Sequence, residues 1–390
     1  MRERPAGSGQ WQLRVFTGTD PVTGKVRQAA RSFKGTEREA GKALAALVSE
    51  VEAGRFKRTS ATVGQLLDRW LEHIEPAQRP RTVYENRRKI EHRIRPLLGD
   101  IRLDRLEPDT LDAAYRKWLD EGLSPSTVHK YHSILSAACR QAVKWGWIDR
   151  TPTDRTSPPA PVKKDMVVPT PAQLSALVKT AEADDPVLAT AIALAALTGA
   201  RRGELVALRW SDIDLVAGKV RIARSLTVTA GEAYEGPTKT HQARTLALDE
   251  VALEVLRRRW VYIHDLSVRA DSPVVTDPYV LSYDAHSGNP ANPDTFTHRF
   301  GRLCREMERQ AAKRLEVKVE ALPPWELWPF RFHDLRHFSV TTLIAAGVDI
   351  RTVAERHGHA RATMTLDRYA HALPERDRAA AGILGSMLTL

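Results

Sequence analysis

Cysteine is almost absent from the 390 residues: Cys139 and Cys304 are the only two, and they form no Cys-x-x-Cys pair. Neither a disulfide framework nor a thiolate zinc site can be built, since each needs more thiols at close spacing. Long apolar runs are missing as well. The longest apolar stretch, "VLATAIALAAL" at 187–197, falls far short of the roughly 20 residues a membrane span requires, so no transmembrane helix and no membrane partner are expected. The first residues, "MRERPAGSGQ", are charged and lead into no apolar signal region, which makes the cytoplasm the expected location. Internal repeats and low-complexity segments are lacking too.

What is present is a globular balance of 42% hydrophobic and 27% charged residues. At roughly 100 to 200 residues per domain, the length calls for two or three domains. The formal net charge of +11 favours a polyanionic partner, and its distribution says more. Residues 1–60 carry 12 Lys/Arg against 6 Asp/Glu, and residues 61–165 carry 19 against 15. The remaining 28 against 27 leave residues 166–390 nearly neutral. The first 165 residues are thus charged to grip a nucleic-acid backbone while the rest does something more specific; ordinary solubilising charge is the alternative.

Residues 11–33 alternate apolar and polar side chains around the turn signals Asp20-Pro21 and Thr23-Gly24, as a small antiparallel sheet does. A capping box of Thr36 and Glu39 then opens a helix in which Leu44, Leu47, Val48 and Val51 recur at helical spacing, with Gly54 at its end. Two further boxes, Thr62/Gln65 and Thr82/Glu85, open "LLDRWLEHI" and "RRKIEHRIRPLL". Helices are also expected at 108–120 behind Pro108, and at 125–146 with Ser124 as N-cap and Pro125 at the first helical position. The expected organisation is therefore a sheet-plus-helix DNA-binding module at 1–57, an all-α four-helix domain at 60–150 and an extended linker at 151–165, "TPTDRTSPPAPVKKD". A third domain at 166–390 opens with the capping box Thr170/Gln173, continues through the apolar helix at 187–197, and has strand-like alternation at 218–229 and 244–248 around a loop rich in Gly, Pro and Thr. Beyond it the chain reads as mainly helical, with loops at 267–293 and 316–328. The fold class is mainly α with small β-sheets, an α+β architecture.

The segment "RFHDLRHF" at 331–338 concentrates cationic groups. On a helix starting near His333, that residue and Arg336 share a face, and His337 lies a turn away. Such a cluster can simply cap a helix or pair with Asp334. A zinc site of His333, His337, His357 and His359 is disfavoured by the adjacent arginines and by the want of a completing carboxylate or Cys. An oxyanion fits better, because an arginine fork matches a phosphate and can neutralise charge developing on phosphorus. A second arginine stands in "TGARRGELVALRW" (198–210), where Arg201 and Glu204 are three apart; taken alone this is a surface ion pair. "GPTKTHQARTLAL" (236–248) places Lys239 in a turn between strands, and "HGHARATMTLDRYAH" (357–371) carries His359 and then Tyr369. Singly, the lysine reads as solvated and the tyrosine as a packing residue.

Taken together and in this order, the segments resemble the tyrosine recombinase (phage integrase) family. Its Thr-Gly-x-Arg-x-Gly-Glu segment is matched at Arg201, its β-turn lysine at Lys239, and its His-x-x-Arg segment at His333 and Arg336. Its Gly-His is matched at His359 and its nucleophilic tyrosine, in Tyr-x-His, at Tyr369. The chain departs from the family at His357, where a hydrophobic residue usually precedes Gly-His, and at Phe338, where a small hydroxyl residue often stands.

The resemblance implies an arm-type DNA-binding domain, a helical core-binding (SAM-like) domain and a catalytic domain of mixed α/β build, acting as a site-specific recombinase that integrates or excises a mobile element. Arg201 and Arg336 would clamp the scissile phosphate, Tyr369 would attack it with His333 as base, Lys239 would protonate the departing 5′-oxygen and His359 would donate to the phosphate; Glu204 reads as structural. Neither ATP nor a metal ion would be needed. The implied partners are double-stranded DNA at core and arm sites, a homotetramer in synapsis aided by the apolar tail at 379–390, and host DNA-bending and excision factors. The expected location is the nucleoid. Rival expectations are a type IB topoisomerase-like relaxing enzyme, a catalytically silent DNA-binding regulator of the same fold, and, least of all, a metal-dependent nuclease.

Overall fold

The computed structural model describes residues 1–19, 24–52, 59–162, 166–238, 242–359 and Thr363. The expected turn at 20–23, Gly54, Lys239, Tyr369 and the tail at 379–390 lie outside the described residues. The chain divides into two compact units, Met1–Lys164 and Asp165–Leu390.

In the first unit, β1 (Arg2–Glu3), β2 (Gln10–Thr19) and β3 (Val26–Lys34) form an antiparallel sheet in that order. Leu13 of β2 and Ala29 of β3 meet Ala40 and Leu47 of α1 (Glu37–Glu52) in a small core. The Thr36 amide donates to Glu39 Oε2 over 2.9 Å and the Glu39 amide reaches Thr36 Oγ1 over 3.4 Å, so this capping box forms.

A separate apolar cluster is built by α2 (Val63–Ile74), α4 (Arg95–Leu98), α5 (Pro108–Asp120) and α6 (Pro125–Lys144), while α3 (Pro80–Lys89) lies against α2 and buries Val83. Thr62 and Gln65 cap α2 reciprocally, and Pro125 with the Ser124 side chain starts α6. Trp118 is 2% exposed and meets the Tyr131 ring edge-on at 5.0 Å. Thr82/Glu85, however, is no capping box. The helix starts earlier, at Pro80, and Glu85 pairs with Arg81 one turn back at 3.0 Å. A wide turn over Ile90–Ile94, closed by the Arg95 amide on the Ile90 carbonyl, links α3 to α4 and shifts the bonding register just ahead of Pro96, which has no N–H to give.

The expected linker is also shorter than its composition implies. Thr151 caps a single turn at Pro152–Arg155, and buried Thr153 donates to the Ser136 hydroxyl at 3.2 Å. The Ser157 amide reaches Asp112, and the Pro159 carbonyl meets the His129 ring. Prolines made the stretch look extended, but its hydroxyls and backbone groups find partners on α5 and α6.

The second unit is organised around α8 (Pro186–Thr198), which follows α7 (Pro171–Asp184). Nearly every side chain of α8 is buried, as an all-apolar helix must be. Next come α9 (Arg202–Val206), β4 (Ile213–Asp214), β5 (Lys219–Ile222), β6 (Arg224–Thr229), β7 (Glu232–Pro237) and β8 (Arg244–Ala247). Strands β4, β5 and β8 form one antiparallel sheet, and β6 pairs with β7 in a hairpin. β7 lies where the composition predicts a loop, since its side chains are almost all exposed and show no alternation; Glu235 ties it to Arg209 and Arg224.

The chain then forms α10 (Glu250–Arg269), α11 (Pro293–Arg314), α12 (Asp334–Ala345) and α13 (Ile350–His357). Helices α7, α10, α11 and α12 all pack on α8. Phe296 and Phe300 of α11 are fully buried against Phe332, each contributing about 1.5–3 kcal/mol. This leaves the N-terminus of α12 beside the C-terminus of α8. The architecture is mainly helical with small antiparallel sheets, as expected. Cys139 and Cys304 are free and buried, and burial pushes both thiols up to about 12.

Candidate active site

Helix α8 ends at Gly199, whose φ of 62° is left-handed and favours glycine. A second reason is packing: a Cβ there would lie 2.2 Å from Nε2 of His357. The chain then turns straight into α9, with Arg201 as its N-terminal flanking residue. Gly203 in that helix lies against β6, where a Cβ would meet the Leu226 carbonyl at 2.6 Å. The Thr-Gly-x-Arg-x-Gly-Glu spelling therefore describes a tight corner that holds Arg201 at its tip.

Glu204 orients that arginine. Its Oε2 accepts the Arg201 amide at 3.0 Å, and its Oε1 accepts Arg201 Nη1 at 2.8 Å. Oε2 also accepts Arg244 Nη2 at 2.7 Å. The Glu204 side chain is wholly buried while Arg201 keeps 22% of its surface exposed. Burial raises the carboxyl's pKa, but the hydrogen bond and charge of Arg244, with those of Arg201, outweigh it and hold the group below its ordinary range. Glu204 is thus the structural anchor that the sequence suggested.

Arg336 comes from the first turn of α12 and is 4% exposed. Its Nη1 donates to the Gly199 carbonyl and its Nη2 to the His357 carbonyl. Arg201 Nη2 donates to the Gly358 carbonyl at 2.9 Å, and Arg244 Nε to the Arg356 carbonyl at 2.9 Å. Three successive carbonyls at the end of α13 are therefore taken by three arginines. A helix C-terminus leaves these acceptors unpaired and partly negative, so it is a natural seat for guanidinium groups.

His357 and His359 have different surroundings. His357 is fully buried, its Nδ1 2.8 Å from the Val353 carbonyl and its Nε2 3.1 Å from the Ser339 hydroxyl. Burial, reinforced by the Arg336 charge, pushes its pKa down to about 3, so the ring is neutral. His359 is partly exposed just past the left-handed Gly358, its ring 6.1 Å from that of His357. His333 is exposed at the start of α12 and meets buried His337 edge-on at 4.9 Å. Arg201, Arg336 and the 357–359 segment thus converge, with His333 on the same first turn as Arg336. Lys239 belongs to the connection from β7 to β8; ahead of it, buried Thr238 donates to the Gln242 carbonyl at 2.9 Å and draws the flanks together. Among the described residues no group of three or more His, Cys, Asp or Glu is placed to hold a metal ion.

Two participants were not legible in the sequence. Arg244 reads only as the start of the alternation in "RTLAL", and His357 as a disfavoured zinc ligand and a departure before Gly-His. The side chains they bond, Glu204 and Ser339, lie 40 and 18 positions away, and the one near partner, the Val353 carbonyl, is a backbone group.

Residues 168–376 match the phage integrase family, and residues 62–119 match the phage integrase N-terminal SAM-like domain. The chain is 26% identical to the ICEBs1 integrase of Bacillus subtilis (strain 168), with 100% of both chains covered. It is also 26% identical to the prophage phiRv2 integrase of Mycobacterium tuberculosis (strain H37Rv), over 99% of this chain and 95% of that one. Among solved structures, the Tn1549 transposon integrase in complex with a circular intermediate DNA has a TM-score of 0.66 at 23% identity, covering 83% of this chain and 100% of that one. A lambda integrase dimer bound to a COC′ core site has a TM-score of 0.58 at 21% identity, covering 95% and 96%. At these identities the structures speak for the fold alone. With more than half of its length matched through the very corner that carries Arg201, the chain belongs to the phage integrase family, the tyrosine recombinases of site-specific DNA recombination.

Proposed function

We propose that this recombinase cuts and rejoins double-stranded DNA at the attachment sites of a mobile element by transesterification onto Tyr369. Arg201 and Arg336 bind the non-bridging oxygens of the scissile phosphate and offset the charge that builds up in the transition state. His333 accepts the proton of the Tyr369 hydroxyl, which at its ordinary pKa of about 10 is neutral near pH 7. The tyrosyl oxygen bonds to phosphorus as the bond to the 5′-oxygen breaks, Lys239 delivers a proton to that oxygen, and His359 donates a hydrogen bond to the phosphate. The resulting 3′-phosphotyrosyl link conserves the free energy of the original bond, and a 5′-hydroxyl of the partner DNA reverses the step. The observation that carries this reading is the meeting of Arg201 and Arg336 at one helix end, through the Gly358 and His357 carbonyls.

Residues 1–57 serve as the arm-type DNA-binding domain, 60–150 as the core-binding domain and 166–390 as the catalytic domain, with the charge excess in the first two supporting their hold on DNA. A lambda integrase tetramer bound to a Holliday junction is among the similar structures, and we take a homotetramer as the synaptic form here, working in the nucleoid with a host DNA-bending protein and an excision factor.

A nicked duplex carrying the core sequence read from the element's junctions with its host tests the proposal. The full chain should form a covalent protein–DNA adduct in the presence of EDTA, and Tyr369→Phe should form none. Adduct formation by Tyr369→Phe, or a strict need for magnesium, would overturn it.

A further inference from the structure

We propose that Arg244 is a positioning residue of the phosphate clamp, fixing which edge of Arg201 faces DNA; the inference rests on the function proposed above. Arg244 is the first residue of β8, paired in register with Ile222 of β5, and its side chain is 9% exposed. It touches the two supports of the clamp, the carboxylate that anchors Arg201 and the helix end that holds Arg336. Nη2 occupies Oε2 of Glu204 at 2.7 Å, and Nε holds the Arg356 carbonyl at 2.9 Å. Its Nη1 is buried and has no hydrogen-bond partner among the described residues; a Cβ at Gly358 would lie 3.0 Å from it.

These contacts decide what Arg201 can do. A carboxylate and a guanidinium left alone prefer a parallel two-point pairing. With Arg244 on Oε2, the Arg201 side chain has only Oε1, through Nη1, and its Nη2 turns to the Gly358 carbonyl. The second contact places that carbonyl, because Arg244 holds the carbonyl two residues earlier at the end of α13. Removing Arg244 leaves Oε2 with the Arg201 amide alone and opens its second lone pair, so the Arg201 fork rotates onto Glu204 and away from the phosphate position, while the end of α13 loses a donor. Arg244 also follows the β7–β8 connection directly and joins the strand behind Lys239 to the arginine pair. It does not touch the phosphate; it acts through Arg201.

The test uses the full chain and two nicked duplexes of the element's core sequence. One carries an ordinary scissile phosphate and the other a methylphosphonate, whose methyl group replaces a non-bridging oxygen and removes the negative charge. On the ordinary phosphate, Arg244→Met should slow adduct formation on the order of 10- to 100-fold with DNA affinity unchanged. On the neutral substrate, where there is less charge for Arg201 to offset, the deficit relative to wild type should shrink to about threefold or less. Arg244→Lys, which keeps the charge but not the fork, should fall between, and it carries the same comparison if the methionine variant does not fold. An equal deficit on both DNAs would mark Arg244 as merely structural and sink the inference, as would an absence of any deficit. Wild-type protein that forms no adduct on either DNA would count instead against the recombination chemistry.

Discussion

Arg201 donates to the carbonyl of Gly358 across 157 positions of sequence, at 2.9 Å. One bond joins the corner after α8 to the end of α13, and it places the first arginine where Arg336 already is. The consequences can be measured.

Glu204 should tolerate no neutral replacement. In Glu204→Gln the amide accepts from one guanidinium and confronts the other with N–H groups, leaving buried charge unbalanced. A loss of about 3 kcal/mol is expected, read as a lowered thermal transition, together with a fall in adduct formation on the order of 100-fold. Because the folded carboxyl sits below its ordinary range, its contribution to stability is complete above the unfolded value and is lost as pH falls through the folded one.

Gly199→Ala tests the helix-end corner. The left-handed backbone and the contact with His357 Nε2 together should cost about 2–4 kcal/mol. Differential scanning calorimetry would show it, and a transition unchanged from wild type would refute the packing described.

His357 gives a pH signature. The folded ring stays neutral down to about 3, whereas in the unfolded chain it takes a proton near 6.5. Between those values only the unfolded state binds that proton, so stability falls as pH drops, at up to about 1.4 kcal/mol per pH unit. Urea midpoints for wild type and His357→Leu at about pH 7 and about pH 5 should show a shallower decline in the variant. Parallel declines would mean that the imidazole is not held neutral.

Lys239 can be separated from the clamp through its leaving group. A bridging 5′-sulfur departs as a stable thiolate and needs no proton, because thiols are far more acidic than alcohols. Lys239→Ala should therefore be slow on normal DNA and close to wild type on the sulfur-bridged duplex. A deficit of the same size on both would remove the lysine from the role of acid.

Local features of the sequence proved the most legible. Thr62/Gln65 and Thr170/Gln173 fix helix starts because a cap and its partner are three residues apart, and Pro108 and Pro125 need nothing beyond their own rings. Thr82/Glu85 shows the limit, since the same spelling arises inside a helix whose glutamate is held by Arg81 instead. At the site, short motifs singled out Arg201, His333, Arg336 and His359, but not the carbonyls that hold the arginines. A backbone oxygen has no letter in the sequence, so three arginines on one helix end could be found only in the fold.

The deep burial of Cys139 and Cys304 has a practical sequel. Maleimide dyes attack thiolates, and neither sulfur presents one to solvent in the native protein. A single cysteine engineered on an exposed helix face would therefore take label against a silent background, and recombination steps could be followed by fluorescence without first stripping out the native thiols.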